Sequence, residues 1–180
     1  MRILYKIISC ALITISFTGY ATNSNTYALI ELQFKGALLC KRAPVDGRDP
    51  KLAAKLDRYR IKVRNLNPNG VINLRYLFTK PLRLLNAFIS VVQYQDNGRP
   101  FFFATAKGDM DEFVRLVEAE SIPPQLREAF SLERTNHYFK LVTLDPNNES
   151  LTAMILIGRK NEIKVNEFYF GCMYFNNQQD

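Results

Sequence analysis

"ALIELQFKGALLCKRAP", residues 28–44, is the stretch on which the fold turns. Ile30, Leu32 and Phe34 alternate with Glu31, Gln33 and Lys35, the period of a half-buried strand. Gly36 permits a bulge or bend, and Ala37-Leu38-Leu39-Cys40 carries the strand onward. Pro44-Val45-Asp46-Gly47 then ends it with turn chemistry. On this reading Cys40 closes the first strand of the domain.

The residues before this stretch have a different character. Arg2 and Lys6 are followed by an apolar, uncharged run from Ile7 to Phe17, then Gly19-Tyr20-Ala21 and a polar stretch. This is the layout of a secretory signal peptide over residues 1–21, and the run is too short for the ~20 residues of a membrane span. A second cut after Ala28 stays open, as does an uncleaved anchor or a core helix. Residues 22–180 then form one secreted domain. With 47% apolar residues the chain can build a core, and its net charge of +7 makes it basic. Of three cysteines, Cys10 falls within the signal segment, which leaves Cys40 and Cys172. In an oxidising compartment the economical reading is one disulfide between them, the alternative being two buried free thiols.

Downstream, short strands recur between turns. Residues 57–64 alternate strictly: Tyr59, Ile61 and Val63 face one way, and Arg58, Arg60, Lys62 and Arg64 the other. Asn67-Pro-Asn-Gly70 is a turn. Val71–Phe78, Asn86–Tyr94 and Phe101–Ala106 read as strands, the last two joined at the hairpin signal Asp96-Asn-Gly98. Asp109 caps a short helix carrying Phe113, Leu116 and Val117. Residues 125–130 suit another helical turn. Tyr138–Leu144, Leu151–Ile157 and Lys164–Phe175 complete the strands. The expected class is mainly β, a sandwich with one short helix.

Gly36, Leu38, Cys40 and Pro44 resemble the first strand of the transthyretin-like family of secreted nematode proteins. Asn67-Pro-Asn-Gly-Val-Ile-Asn-Leu74 is similar to the family's turn and apolar strand, and residues 86–95 to a third block. The order is kept across about residues 29–103. Two landmarks depart from it, since Gln93 stands for the family's histidine and Gln95 for its second cysteine. The resemblance implies a transthyretin-like or immunoglobulin-like β-sandwich and a secreted, non-enzymatic binding role.

Candidate chemistry is sparse. There is one histidine, His137, no nucleophile elbow, no glycine-rich phosphate loop and no metal-ligand spacing. No catalytic residue, metal or cofactor is expected. Asp109, Asp111 and Glu112 suit a helix start. Arg58, Arg60, Lys62 and Arg64 form an anion-binding face, or else a solvated strand edge guarded by cations. Asn148-Glu-Ser150 is a glycosylation sequon. The first expectation is a secreted binding protein for a small apolar ligand or an extracellular protein partner. The second is an adhesion protein that holds acidic glycans or anionic lipid surfaces on the basic strand. The third is a small secreted enzyme of unrecognised type. Nucleic acid is not an expected partner.

Overall fold

The computed structural model describes residues 20–68, 70–145, 148–159 and 166–175, without the side chains of 20–25, 145 and 148–151. Of the signal-peptide segment, only Tyr20 and Ala21 fall among the described residues.

The stretch read as the first strand is a helix, α1 (Tyr20–Leu38). Ile30, Phe34, Ala37 and Leu38 are buried, at helical spacing. Leu32, which a strand would turn inward beside Ile30 and Phe34, is exposed. The run satisfies both periods, and burial chooses the helical one because a large apolar sheet face needs a cover. The helix stops where Cys40 takes a left-handed φ of 56°. There the Lys41 N–H donates to the Gly36 carbonyl at 2.7 Å. Gly36 also makes room for Arg42, whose Cδ would lie 2.7 Å from an added Cβ.

Three further helices follow among the described residues, where one short helix was expected. In α2 (Pro50–Arg58), Asp49 accepts from the Lys51 N–H at 2.9 Å and Pro50 occupies the first turn, where no donor is needed. α3 (Met110–Val117) has the predicted cap, with Asp109 accepting from the Asp111 and Glu112 N–H groups. α4 (Pro124–Ala129) is the short turn read at residues 125–130.

The mainly β expectation holds. The strands are β1 (Ile61–Asn65), β2 (Ile72–Leu84), β3 (Ala87–Asp96), β4 (Phe101–Lys107), β5 (Glu120–Ser121), β6 (Asn136–Asp145), β7 (Asn148–Gly158) and β8 (Glu167–Tyr174). They do not divide into two layers. All eight are joined in one antiparallel sheet of order β1-β2-β3-β4-β8-β7-β6-β5. The last strand in sequence is therefore central, pairing β4 on one side and β7 on the other. Its consecutive buried residues from Phe168 to Cys172 are those of a strand covered on both faces.

On the inner face, α1 and α3 cover the main core. Phe34 reaches Tyr76, Phe78 and Phe102, and Phe113 packs on Phe168 and Phe170. On the outer face a smaller cluster around Ile122, Leu132, Met154 and Leu156 is closed by Leu126 and Phe130 of the α4 region.

Cys40 and Cys172 are bonded, with Cα atoms 5.2 Å apart and a sequence separation of 132. The pairing is the one expected, but its setting is not. The bond ties the end of a helix to an interior strand, rather than the first strand to the last. In the chain-entropy account a loop of this length contributes about 5 kcal/mol. The Cys40→Ala/Cys172→Ala double variant is expected to lose roughly that much against denaturant, while an intact far-ultraviolet spectrum shows that the sheet still forms.

Candidate functional site

Antiparallel register brings one set of side chains to the outer face in straight rows. One row runs Arg64–Arg75–Gln93–Phe103–Gly171–Leu156 across six strands. The next runs Asn73–Gln95–Phe101–Met173. A third runs Lys62–Leu77–Val91–Thr105–Tyr169–Gly158. At the β8 end this face is apolar and lies under α4. At the β1 end it is open and polar. A groove of about 410 Å³ lies where the two halves meet.

Its floor is β3, β4 and β8, and one wall is the Phe130–Glu133 segment after α4. Phe101 and Phe103 stack with ring centroids 4.7 Å apart. Gly171 is required beneath them, because a Cβ there would lie 2.5 Å from that of Phe103. The amides of Gln93 and Gln95 stand beside the rings, half-buried and without hydrogen-bond partners among the described residues. At the opposite end the Tyr169 hydroxyl donates to Asn136 Oδ1 at 2.8 Å and lies 3.0 Å from Thr135 Oγ1. Burial holds the Tyr169 hydroxyl protonated, with its pKa pushed up to about 12. Arg127 fixes the wall by donating to the Glu133 and Asn136 carbonyls at 2.7 and 2.9 Å.

Two other hollows have some of their polar groups engaged. One of about 340 Å³ is lined by Tyr174 and Arg42, and the Tyr174 hydroxyl serves the Ala37 and Arg42 carbonyls. One of about 500 Å³ lies beside the Lys140–Glu118 ion pair, closed at 2.8 Å. The outer groove differs in offering unused amides next to aromatic rings.

The four-residue basic face is not one ladder. Arg58 ends α2, and Arg60 sits in the connection with a left-handed φ of 58°. Only Lys62 and Arg64 lie on β1, where both are exposed. The alternation of residues 57–64 arises because the last turn of α2 and the following bend happen to continue the period of the strand. Arg75, opposite Arg64 on β2, was missed, since its strand reads as apolar in sequence. Gln93 and Gln95 first stood out as departures from a family motif, and they are the groove's free amides. Tyr169 and Asn136 lie 33 residues apart, and no local signal joins them. His137 is exposed on β6. The Asn148 side chain lies outside the described residues. Among the described residues, no group of three His, Cys, Asp or Glu side chains is placed to hold a metal ion. No helix among them is long and apolar enough to cross a membrane.

No family model, curated protein or solved structure matches this chain.

Burial also raises the pKa values of Tyr76 and Tyr174, and that of Tyr94 to about 12. Each phenol titrates near 10 in the unfolded chain. Between these values the unfolded state loses protons that the folded state keeps, so stability falls as pH rises. Thermal denaturation is expected to show full stability below pH ~10 and a progressive loss toward pH ~12. Tyr169→Phe should flatten that slope, while costing about 1–3 kcal/mol at neutral pH by leaving Asn136 without its partner.

Proposed function

We propose that this chain is a secreted, non-enzymatic binding domain that takes a small amphipathic ligand in the outer-face groove. The observation that carries this reading is the pairing of unpartnered amides with stacked aromatic rings. These amides are open to solvent rather than tied up within the protein, and a ligand that supplies hydroxyls or carbonyls can take the place of their water. The rings offer the rest of such a ligand an apolar surface. The wall is fixed by Arg127 and the floor by strand register, so the groove needs little ordering on binding. A long-loop disulfide agrees with an oxidising, extracellular setting. The transthyretin-like resemblance, whose first block ends a helix here instead of forming a strand, implies the same kind of role, a binder rather than a catalyst, and a sandwich ancestry for the sheet rests on that resemblance alone.

A screen of amphipathic fragments, followed by amide and aromatic resonances, tests the proposal. Hits are expected to shift Gln93, Gln95, Phe103, Thr105 and Tyr169 together, and Phe103→Ser to weaken them by about tenfold, the size of one lost aromatic contact. Hits that move only the two inner-face hollows would move the site elsewhere.

A further inference from the structure

The groove is lined as far as Gln93 and Gln95, and the sheet face carries on beyond it. On the same face its row continues through Arg75 to Arg64, with Lys62 one step along β1. Arg64 and Arg75 are direct cross-strand partners. Like charges in that relation repel and destabilise the pair. Among the described residues, none of Lys62, Arg64 and Arg75 has an ion-pair partner. The outward residues of β1 to β4 along these rows include no carboxylate. The Nε of Arg75 and the Oδ1 of Asn73 are buried without hydrogen-bond partners. A sheet face that places two arginines opposite each other, one of them with an unpaired guanidinium N–H, is arranged for an anion.

We propose that the groove and this cationic corner form one site, and that its ligand is an acidic saccharide. The assignment of a class rests on the groove being the binding site, as argued above. Neighbouring strands are ~4.8 Å apart, so the row from Phe103 to Arg64 is ~14 Å long, the reach of a short oligosaccharide rather than one ring. The chemistry changes along it in the order such a ligand requires. Arg64 and Arg75 meet a carboxylate or sulfate with charge-assisted hydrogen bonds. Gln93 and Gln95 donate to and accept from ring hydroxyls. Phe103 takes the C–H face of a sugar ring. Thr105, Asn136 and the Glu133 carboxylate at the far wall suit further hydroxyls. That carboxylate repels a second anion there, so the ligand's charge and its neutral end are placed at opposite ends of the row. Phe101 and Phe103 stack on each other instead of standing apart to clasp a flat base, which favours a sugar over a nucleotide.

The experiment uses the oxidised domain at low salt. The probes are a tetrasaccharide of alternating uronic acid and N-acetylhexosamine, neutral cellotetraose, adenosine monophosphate and phosphatidylserine vesicles. Calorimetry or resonance shifts report binding. The acidic tetrasaccharide is expected to bind more tightly than cellotetraose by about tenfold or more, the effect of one charge-assisted hydrogen bond. Arg64→Gln/Arg75→Gln should remove that preference and keep cellotetraose binding, and Phe103→Ser should weaken both sugars. Arg64→Gln alone should raise the melting temperature of the ligand-free protein, which excludes misfolding as the cause. Equal affinity for the two sugars overturns the acidic-ligand assignment and leaves the groove standing. Acidic-sugar binding that ignores Phe103→Ser overturns the groove and the joint site, leaving only the cationic corner. Tighter binding of the nucleotide or of the vesicles overturns the saccharide class.

Discussion

Phe34 is the point at which the helix becomes part of the sheet. Its ring meets Tyr76 and Phe78 of β2 edge-on at 5.1 and 5.0 Å, and Phe102 of β4 at 5.8 Å. β3 lies between those two strands, with Val92 buried. One side chain therefore spans three strands. Each aromatic contact adds about 0.5–1.5 kcal/mol to the area it buries. An eight-stranded antiparallel sheet with this inner face has no second sheet to rest on, so a helix must cover it. α1 does so only while Phe34 is seated, and the disulfide two residues beyond the helix keeps the chain from leaving.

The irregular chain between α1 and α2 is held by two tyrosines from the sheet. The Tyr174 hydroxyl shares its one proton between the Arg42 and Ala37 carbonyls, at 2.7 and 2.9 Å, and that of Tyr76 donates to the Val45 carbonyl and accepts from the Gly47 N–H. These bonds satisfy backbone groups that a loop under a helix end would otherwise bury unpaired. They also take up the Tyr174 hydroxyl that lines the hollow beside them. Stability and binding are thus divided between the faces: the inner face uses its hydroxyls on the protein's own backbone, and the outer face leaves its amides unused.

Turn chemistry and caps were legible because they are local. Asp109, the Asp96-Asn-Gly98 hairpin and the short helix after Pro124 all stand where the residues place them. The first element was not legible, because Ile30, Leu32 and Phe34 fit a strand as well as Ile30, Phe34, Ala37 and Leu38 fit a helix. Only the tertiary demand for a cover decides between them. The arginine series misled for a related reason. Arg58 and Arg60 extend the period of β1 across a helix end and a bend, and no local propensity marks the join. Cys40 with Cys172 could be paired by elimination, but its place beside a central strand depends on β8 inserting between β4 and β7. The same insertion brings Phe103 over Gly171 and Tyr169 within reach of Asn136, so the groove exists only at the level of sheet order.

That insertion sets the character of the outer face. β8 joins a polar-faced meander, β1 to β4, to an apolar-faced one, β6 and β7, and a continuous sheet cannot hide the seam. The apolar half is closed by Leu126 and Phe130, which extend no farther than the aromatic pair of β4. A longer α4 would bury Gln93 and Gln95 without partners, at a cost that exceeds the gain from covering Leu77 and Val91. A shorter one would expose Met154 and Leu156. The cover therefore ends where the side chains change from apolar to amide, and the hollow left there has one greasy edge and one polar edge. Amphipathic shape at this position follows from joining two unlike halves into one sheet, and the cations of β1 and β2 give it a direction.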